Sequence, residues 1–294
     1  MSNAHTTAPV AWYDVDDPFS PALDDLARKF GLHELQIEDC RHRRQRAKLE
    51  EHDHYIFAVL KHLTRNGETE FDEVDVFVSS EFLITVHQVS AAALIEKVRL
   101  RVNQGHVERL DKVFYLIVDT VVDEYIPMLD DLAEEISEVE AEVLKRPDPN
   151  VLSRIFRLKR TLIEFRRITG AMREVVNAIV RREGGFLGDD LDPYFRDVYD
   201  HLVRTVEMIE TYRDLLTGSL DIYLSAVANR TNEVMKVLTI YGTIALPLVI
   251  ITGFFGMNLK LPWMENPLGP LYAVGVMALS AVIVLFYFHA KRWF

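Results

Sequence analysis

Cysteine is all but absent from this 294-residue chain, where Cys40 stands alone. One thiol excludes an intramolecular disulfide and a thiolate-rich metal site. Glycine is sparse, with 13 residues, and none of them builds a phosphate-binding loop, a dinucleotide fingerprint or a nucleophile elbow. No nucleophile–base pair stands out, so the chain reads as a non-enzyme with no cofactor. Basic charge is in deficit. Lys and Arg number 33 against 45 Asp and Glu, a formal net charge of −12. That balance argues against nucleic acid as a partner and suits the attraction of cations. The first thirty residues hold Asp14, Asp16, Asp17, Asp24 and Asp25. They lack the apolar core of roughly 7–15 residues that a secretory signal needs. The bulk of the chain is therefore expected in the cytoplasm.

What is present divides unevenly. Hydrophobic residues make up 49% and charged residues 27%, a globular rather than a disordered composition. Nearly all of the continuous hydrophobicity follows Val237. Residues 237–255, VLTIYGTIALPLVIITGFF, carry no charge across 19 positions. Residues 271–290, LYAVGVMALSAVIVLFYFHA, carry only Tyr272, Tyr287 and His289 as titratable groups. About 20 apolar residues in a helix cross the ~30 Å hydrocarbon core. Two membrane spans are expected, with residues 256–270 as a short external loop and both termini on one side. Lys291 and Arg292 after the second span, and Arg230 and Lys236 before the first, mark that side as cytoplasmic.

Upstream, Phe195, Val198, Leu202, Val206, Ile209, Leu216, Leu220, Tyr223 and Val227 recur at helical spacing. Pro193 suits a first helical turn with Asp192 as N-cap, and no proline follows until Pro247. One helix is expected to run from about 193 into the membrane. Stretches 119–145, acidic, and 151–182, basic, read as an antiparallel helix pair turned at 146–150. The two arms are expected to pair with each other or to be solvated, not to bind nucleic acid. Residues 54–63, 70–79 and 82–89 read as strands, with an Asn-Gly hairpin signal at 65–68, and 21–40 and 93–102 as helices. The organisation expected is an α/β cytosolic domain (1–110), a helical stalk (111–236) and a two-helix transmembrane domain (237–294).

Between the spans stands Gly256-Met257-Asn258. Glycine weakens a helix and asparagine is costly near hydrocarbon. GMN after a proline-bearing span, with a second span ending in basic residues, resembles the CorA family of divalent-cation channels. Thr231 to Asn258 is similar to that family's pore helix nearly throughout. Leu35 to Lys48, LQIEDCRHRRQRAK, resembles its N-terminal Ile-Glu-Asp and Gln-Arg-Pro-Lys segment, with Ala47 in place of the proline. The resemblance implies a funnel-shaped homopentamer in the plasma (inner) membrane. Its partners are its own copies, lipid and divalent cations, and five first spans line one pore. A single span cannot enclose a pore, so conduction requires oligomerisation.

The resemblance also assigns roles. Gly256, Met257 and Asn258 match the selectivity filter. Five Asn258 amide oxygens would accept hydrogen bonds from the waters of a hydrated Mg²⁺, an ion that dehydrates reluctantly. Asp221, Asn232, Met235, Leu238, Leu246 and Val249 match pore-facing positions. Rings of Met235 and Leu238 would gate by dewetting, and rings of Asn232 and Asp221 would rebind the ion. Gly242 fits a close helix contact and Pro247 a kink. Asp39 and Asp197 match an intersubunit Mg²⁺ site that holds the funnel closed.

The implied function is entry of hydrated Mg²⁺, with Co²⁺ or Ni²⁺ as further ions, down its electrochemical gradient under control of cytosolic Mg²⁺. Lys260 near the mouth, with Glu265 only further on, departs from the acidic loops of many family members. A ZntB-like proton-coupled zinc transporter is the alternative. A non-conducting membrane-anchored scaffold is the alternative from another class. His33, His42, His52, His54 and His62 cluster in sequence, and His52 and His54 share a face if they lie on one strand, but no third zinc ligand follows from the spacing.

Overall fold

The computed structural model describes residues 11–43, 45–65, 69–145, 148–182, 185–257 and 268–291. They group into two units, 1–220 and 221–294.

The first unit is built on a five-stranded sheet. Its strands are β1 (Trp12–Val15), β2 (Lys48–Glu51), β3 (Ile56–Arg65), β4 (Thr69–Val78) and β5 (Leu83–His87), in the order β1-β5-β4-β3-β2. The dense β-branched and aromatic content of 56–65, 69–78 and 83–87 forms an antiparallel meander, as the alternation predicts. The edge strands escape that pattern. WYDV and KLEE are short, and each is ordered by a neighbour: β1 runs parallel to β5, and β2 antiparallel to β3. The Asn-Gly signal at 66–67 lies outside the described residues.

Side chains alternate across the sheet. Phe57, Val59, Phe77, Ile84 and Val86 form one buried face with Leu23, Ile37 and Cys40 of helices α1 (Pro21–Phe30) and α2 (Glu34–Arg41). Ser20 accepts from the Ala22 amide at the start of α1, and Gly31 closes it at φ 64°, a left-handed turn that glycine tolerates. Helix α4 (Leu110–Asp123) lies against β3 and β4, with α3 (Ala92–Gln104) beside it. The result is a helix–sheet–helix sandwich.

Helices α5 (Tyr125–Lys145) and α6 (Pro149–Val180) follow, then α7 (Asp192–Phe255). The helix expected from 119 breaks at Glu124. Pro127 has no N–H for the Asp123 carbonyl, so one helix cannot continue through it without losing a bond. The Tyr125 hydroxyl donates to the Lys61 carbonyl at 2.5 Å, and Phe71, Tyr125 and Phe165 form an aromatic cluster that ties α5 and α6 to β3 and β4. Asp192 is helical and follows a 3₁₀ turn at Asp189–Leu191, so it is not the N-cap expected from the sequence. α7 is one helix of 64 residues, about 95 Å long. Helix α8 (Gly269–Ala290) completes the second unit.

Two buried polar networks cross the sheet. The Trp12 indole donates to Thr85 at 3.0 Å, and Thr85 donates to Asp14 at 2.6 Å. Arg99 of α3 reaches the same Asp14 at 2.6 Å. The ring nitrogens of buried His87 face two acceptors, the Asp14 carboxylate at 3.1 Å and the Gln88 carbonyl at 2.6 Å. Both nitrogens must then carry protons, so His87 is the imidazolium. Burial alone would depress its pKa, but the Asp14 hydrogen bond and charge outweigh it and raise the pKa above 6.5. In the second network, Lys61 pairs with Glu73 at 2.5 Å, and Arg43 donates to Asp72 at 2.7 Å and to the Glu73 carbonyl at 2.5 Å. Fully buried Asp75 lies 3.8 Å from Arg43, and its burial pushes its pKa up to about 7.

Both shifts act in the same direction. A raised histidine pKa contributes stability that is complete below 6.5 and lost as pH climbs through the folded value. Asp75 takes up a proton more readily folded than unfolded, so stability falls as pH rises from 3.8 to about 7. Unfolding followed by Trp12 fluorescence should therefore show stability declining through neutrality. Asp75→Asn should flatten the lower part of that decline, and His87→Asn the upper part. A profile unchanged in both variants would refute the assignment.

Candidate functional site

From its middle to its C-terminal end α7 carries Asp221, Asn232, Met235, Leu238, Leu246 and Val249, all exposed in the single chain. At ~100° per residue these positions fall within an arc of about 120°, so they share one face. Met235 is 56% and Leu246 63% exposed, so a row of large apolar side chains has no cover among the described residues. The membrane-length apolar stretch of α7 has none of its residues buried, and that of α8 only 6%.

Threonine hydroxyls along α7 bond back to carbonyls one turn earlier: Thr239 to Met235 at 2.7 Å, Thr243 to Thr239 at 2.7 Å and Thr252 to Leu248 at 2.9 Å. Polar side chains in an apolar helix are thereby satisfied locally. Pro247 sits inside the helix and cannot donate to the Thr243 carbonyl. A side chain at Gly242 would meet nothing within 4 Å.

The structure revises the reason for Gly256. Its φ is not positive, and its amide donates to the Thr252 carbonyl at 2.9 Å, so it prolongs the last turn instead of reversing it. A Cβ there would approach that carbonyl to 3.1 Å. Glycine serves close approach, not a left-handed turn. Met257 is half exposed, and Asn258 lies outside the described residues, as do Lys260 and Glu265.

Asp39 and Asp197 belong to the first unit. The Asp39 carboxylate on α2 accepts from Lys48 Nζ at 2.7 Å, and the same ammonium lies 2.6 Å from Glu50. Asp197 on α7 is 68% exposed in its side chain and stands 3.8 Å from His201 one turn on. No group of three or more His, Cys, Asp or Glu able to hold a metal occurs among the described residues. Whatever cation these carboxylates take must be completed by water or by another chain.

The histidines have structural roles. His52 and His54 lie in the turn between β2 and β3, not on a strand. His33 Nδ1 accepts from the Leu35 amide at 3.2 Å and caps α2. His52 stacks on Tyr55 at 4.9 Å and meets Gln36 at 2.7 Å. Buried His62 stands 3.8 Å from Glu124. A histidine as N-cap is unusual enough that sequence reasoning passes over it.

The acidic and basic arms do meet. Arg154 of α6 bonds Glu142 at 2.8 Å and Glu138 at 3.1 Å, with Glu135 at 3.7 Å, and Arg157 also pairs with Glu135. Further along, Arg166 crosses to Glu210 of α7 at 2.9 Å. Arg154, Arg157 and Arg166 thus answer carboxylates on neighbouring helices.

The family model described as "CorA-like Mg2+ transporter protein" matches residues 8–292. The cobalt/magnesium transport protein CorA of Thermotoga maritima is 38% identical over 272 residues, 90% of this chain and 77% of that protein. The putative metal ion transporter YfjQ of Bacillus subtilis is 33% identical, covering 97% of this chain and 91% of its own. Among solved structures, the complete CorA magnesium transporter of Methanocaldococcus jannaschii superposes with a TM-score of 0.86 at 24% identity, over 96% of this chain and 91% of that one. The ZntB cytoplasmic domain of Vibrio parahaemolyticus shares the fold more distantly, with a TM-score of 0.63 at 14% identity over 75% of this chain and 88% of that domain.

Arg154 answers three carboxylates, while Arg157 is an exposed single pair. Arg154→Ala should destabilise the first unit by about 1 kcal/mol and Arg157→Ala by less. Urea unfolding of the two variants compares them, and equal losses would show that the cluster adds nothing beyond a surface pair.

Proposed function

This chain belongs to the CorA-like Mg²⁺ transporter family, and from that premise we propose that it conducts hydrated Mg²⁺ into the cytoplasm as a homopentamer. The observation that carries the proposal is the uncovered face of α7. Met235, Leu238, Leu246 and Val249 are all more than half exposed among the described residues. Such a face needs other copies or lipid to cover it, and one helix pair cannot enclose a conduit. Five copies of α7 around an axis turn the shared arc of Asp221, Asn232, Met235, Leu238, Leu246 and Val249 towards a common lumen.

Mg²⁺ holds its waters tightly and prefers six oxygen ligands. A ring of Asn258 amides at the mouth offers acceptors to those waters without a charge that would trap the ion. α7 ends at Phe255, and the Gly256 amide still donates to the Thr252 carbonyl, so the Gly-Met-Asn tripeptide follows the helix directly in sequence. Met235 and Leu238 form an apolar constriction whose dewetting stops flow, and the Asn232 and Asp221 rings receive the ion below it. The two spans lie in the plasma (inner) membrane with both termini cytoplasmic. Mg²⁺ is cargo and regulator, not a cofactor, and no catalysis is involved. Cobalt appears beside magnesium in the name of the Thermotoga relative, so Co²⁺ is expected to pass as well.

Regulation works through Asp39 and Asp197. Cytosolic Mg²⁺ bridging Asp39 of one copy to Asp197 of the next favours the closed ring, and its loss leaves carboxylates that repel. Lys48 competes with the ion for Asp39, since it already donates to that carboxylate at 2.7 Å.

Asn258→Ala should lower Mg²⁺ uptake into liposomes at least tenfold while the oligomer still assembles. Unchanged uptake would sink the filter. Lys48→Met leaves Asp39 to the ion alone and should lower the half-inhibitory Mg²⁺ concentration about three- to tenfold, the scale of one partly exposed charge pair. A flux comparison of Mg²⁺, Co²⁺, Ni²⁺ and Zn²⁺, with and without a pH gradient, tests the ion. Uptake confined to Zn²⁺ and driven by protons would replace the present proposal.

A further inference from the structure

A cavity of about 1110 Å³ opens in the first unit between α6, β4 and the segment that joins α2 to β2. Six basic side chains line it against four acidic ones, in a chain whose net charge is −12. Its deepest cations, Arg43 and Lys61, are neutralised in place by Asp72 and Glu73. The remaining basic side chains among the described lining residues are Arg46 and the α6 arginines Arg166, Arg167 and Arg173.

The α6 wall has a shaped feature. Arg166, Gly170 and Arg173 stand at i, i+4 and i+7 of α6, on one helix face. Gly170 is internal to a 32-residue helix, where glycine costs stability relative to alanine. Packing does not require it, because an added Cβ would meet nothing within 4 Å. What its missing side chain leaves is open space in the cavity wall between the backbone positions of Arg166 and Arg173. The carboxylates that now answer those groups are at the surface: Glu210 at 2.9 Å from Arg166 and Glu174 at 3.2 Å from Arg173. Exposed pairs of this kind are weak and give way to a multivalent anion. Guanidinium groups bind phosphate oxygens in a bidentate fork, and a cavity of this size accepts a ligand larger than one phosphate.

We propose that this cavity binds a small triphosphate anion, with Arg166 and Arg173 gripping its phosphates across Gly170. The shared chemistry is the triphosphate, carried by a nucleotide or as the inorganic ion. The Phe71 ring at the cavity wall gives a nucleotide base an apolar surface.

The test is calorimetric titration of the full-length oligomer in detergent with ATP and, separately, with inorganic triphosphate, both in EDTA so that transported cations take no part. Saturable binding of at least one is expected. Equal binding of the two assigns recognition to the phosphates, and binding of ATP alone assigns part of it to the base. The double variant Arg166→Gln/Arg173→Gln should weaken binding at least tenfold. Gly170→Leu should do the same by filling that space, and Gly170→Ala should raise the melting temperature while it weakens binding less. Absence of saturable binding by both anions overturns the proposal. So does binding that the double arginine variant leaves unchanged, or that survives intact in Gly170→Leu. Binding is read without flux, so its failure leaves the transport proposal untouched.

Discussion

Apolar surface that its own chain cannot cover governs this protein. In a water-soluble molecule the row from Met235 to Val249, and the length of α8, would drive aggregation. At about 25 cal/mol per Å² the exposed leucines and valines of two 20-residue stretches represent tens of kcal/mol of unfavourable hydration. Lipid and neighbouring copies are the covers available. Lipid accepts apolar side chains of any arrangement. Asp221 and Asn232 share the arc of Met235 and Leu246 but precede the charge-free run 237–255, so one face of α7 passes from polar to apolar towards its C-terminal end.

The first unit solves the opposite problem. It buries charge within a sheet and must answer it. Asp14 is met by His87, Thr85 and Arg99 from β5 and α3, and this is what holds a four-residue edge strand in place. Arg43 serves the other end of the sheet, where β4 extends past β5. Its guanidinium binds Asp72 and the Glu73 carbonyl, and so it fixes the chain that leaves α2. Asp39 lies on that helix four residues earlier. A carboxylate proposed to sense cytosolic cations is thus mounted on an element clamped at its C-terminal side by a buried ion network. Rigidity there matters, because a bridging ion shifts an equilibrium only by its difference in affinity between the two states.

Much of this was legible in the sequence. The helical spacing from Phe195 to Val227, in steps of three, four and once seven, with no proline between Pro193 and Pro247, marks α7 as a single helix. The clustered Val, Ile and Phe residues of 56–63 and 71–86 gave the meander. Legibility failed where order is supplied from far away. WYDV becomes a strand because Trp12 and Asp14 find Thr85 and His87, more than seventy residues on. Lys48 as the partner of Asp39 is a product of β2 folding beside α2, and no periodicity announces it. The break at Glu124 had a visible cause in Pro127, but the helical pattern on both sides concealed it. Propensity alone suggests a sharp turn at Gly256, whereas its backbone approaches the Thr252 carbonyl closely and without a positive φ. The cavity beside Gly170 has no motif, since it joins α6 to segments a hundred residues earlier.

The charge distribution connects these parts. Carboxylates outnumber cations by twelve in the whole chain, yet the α5–α6 pair is internally matched, with Arg154 and Arg157 facing Glu135, Glu138 and Glu142. Matching of this kind removes the arms from long-range attraction at physiological salt, where exposed charges are screened beyond about 8 Å. Asp197 and Asp221 both lie exposed on α7. Five copies around one axis would multiply each of these into a ring. A ring of carboxylates that repels itself in the absence of divalent ions, and is drawn together in their presence, couples ion concentration to the geometry of the helix that carries it. A 64-residue helix that holds both the carboxylate proposed to sense cations and the proposed apolar constriction would need no separate transmitting element.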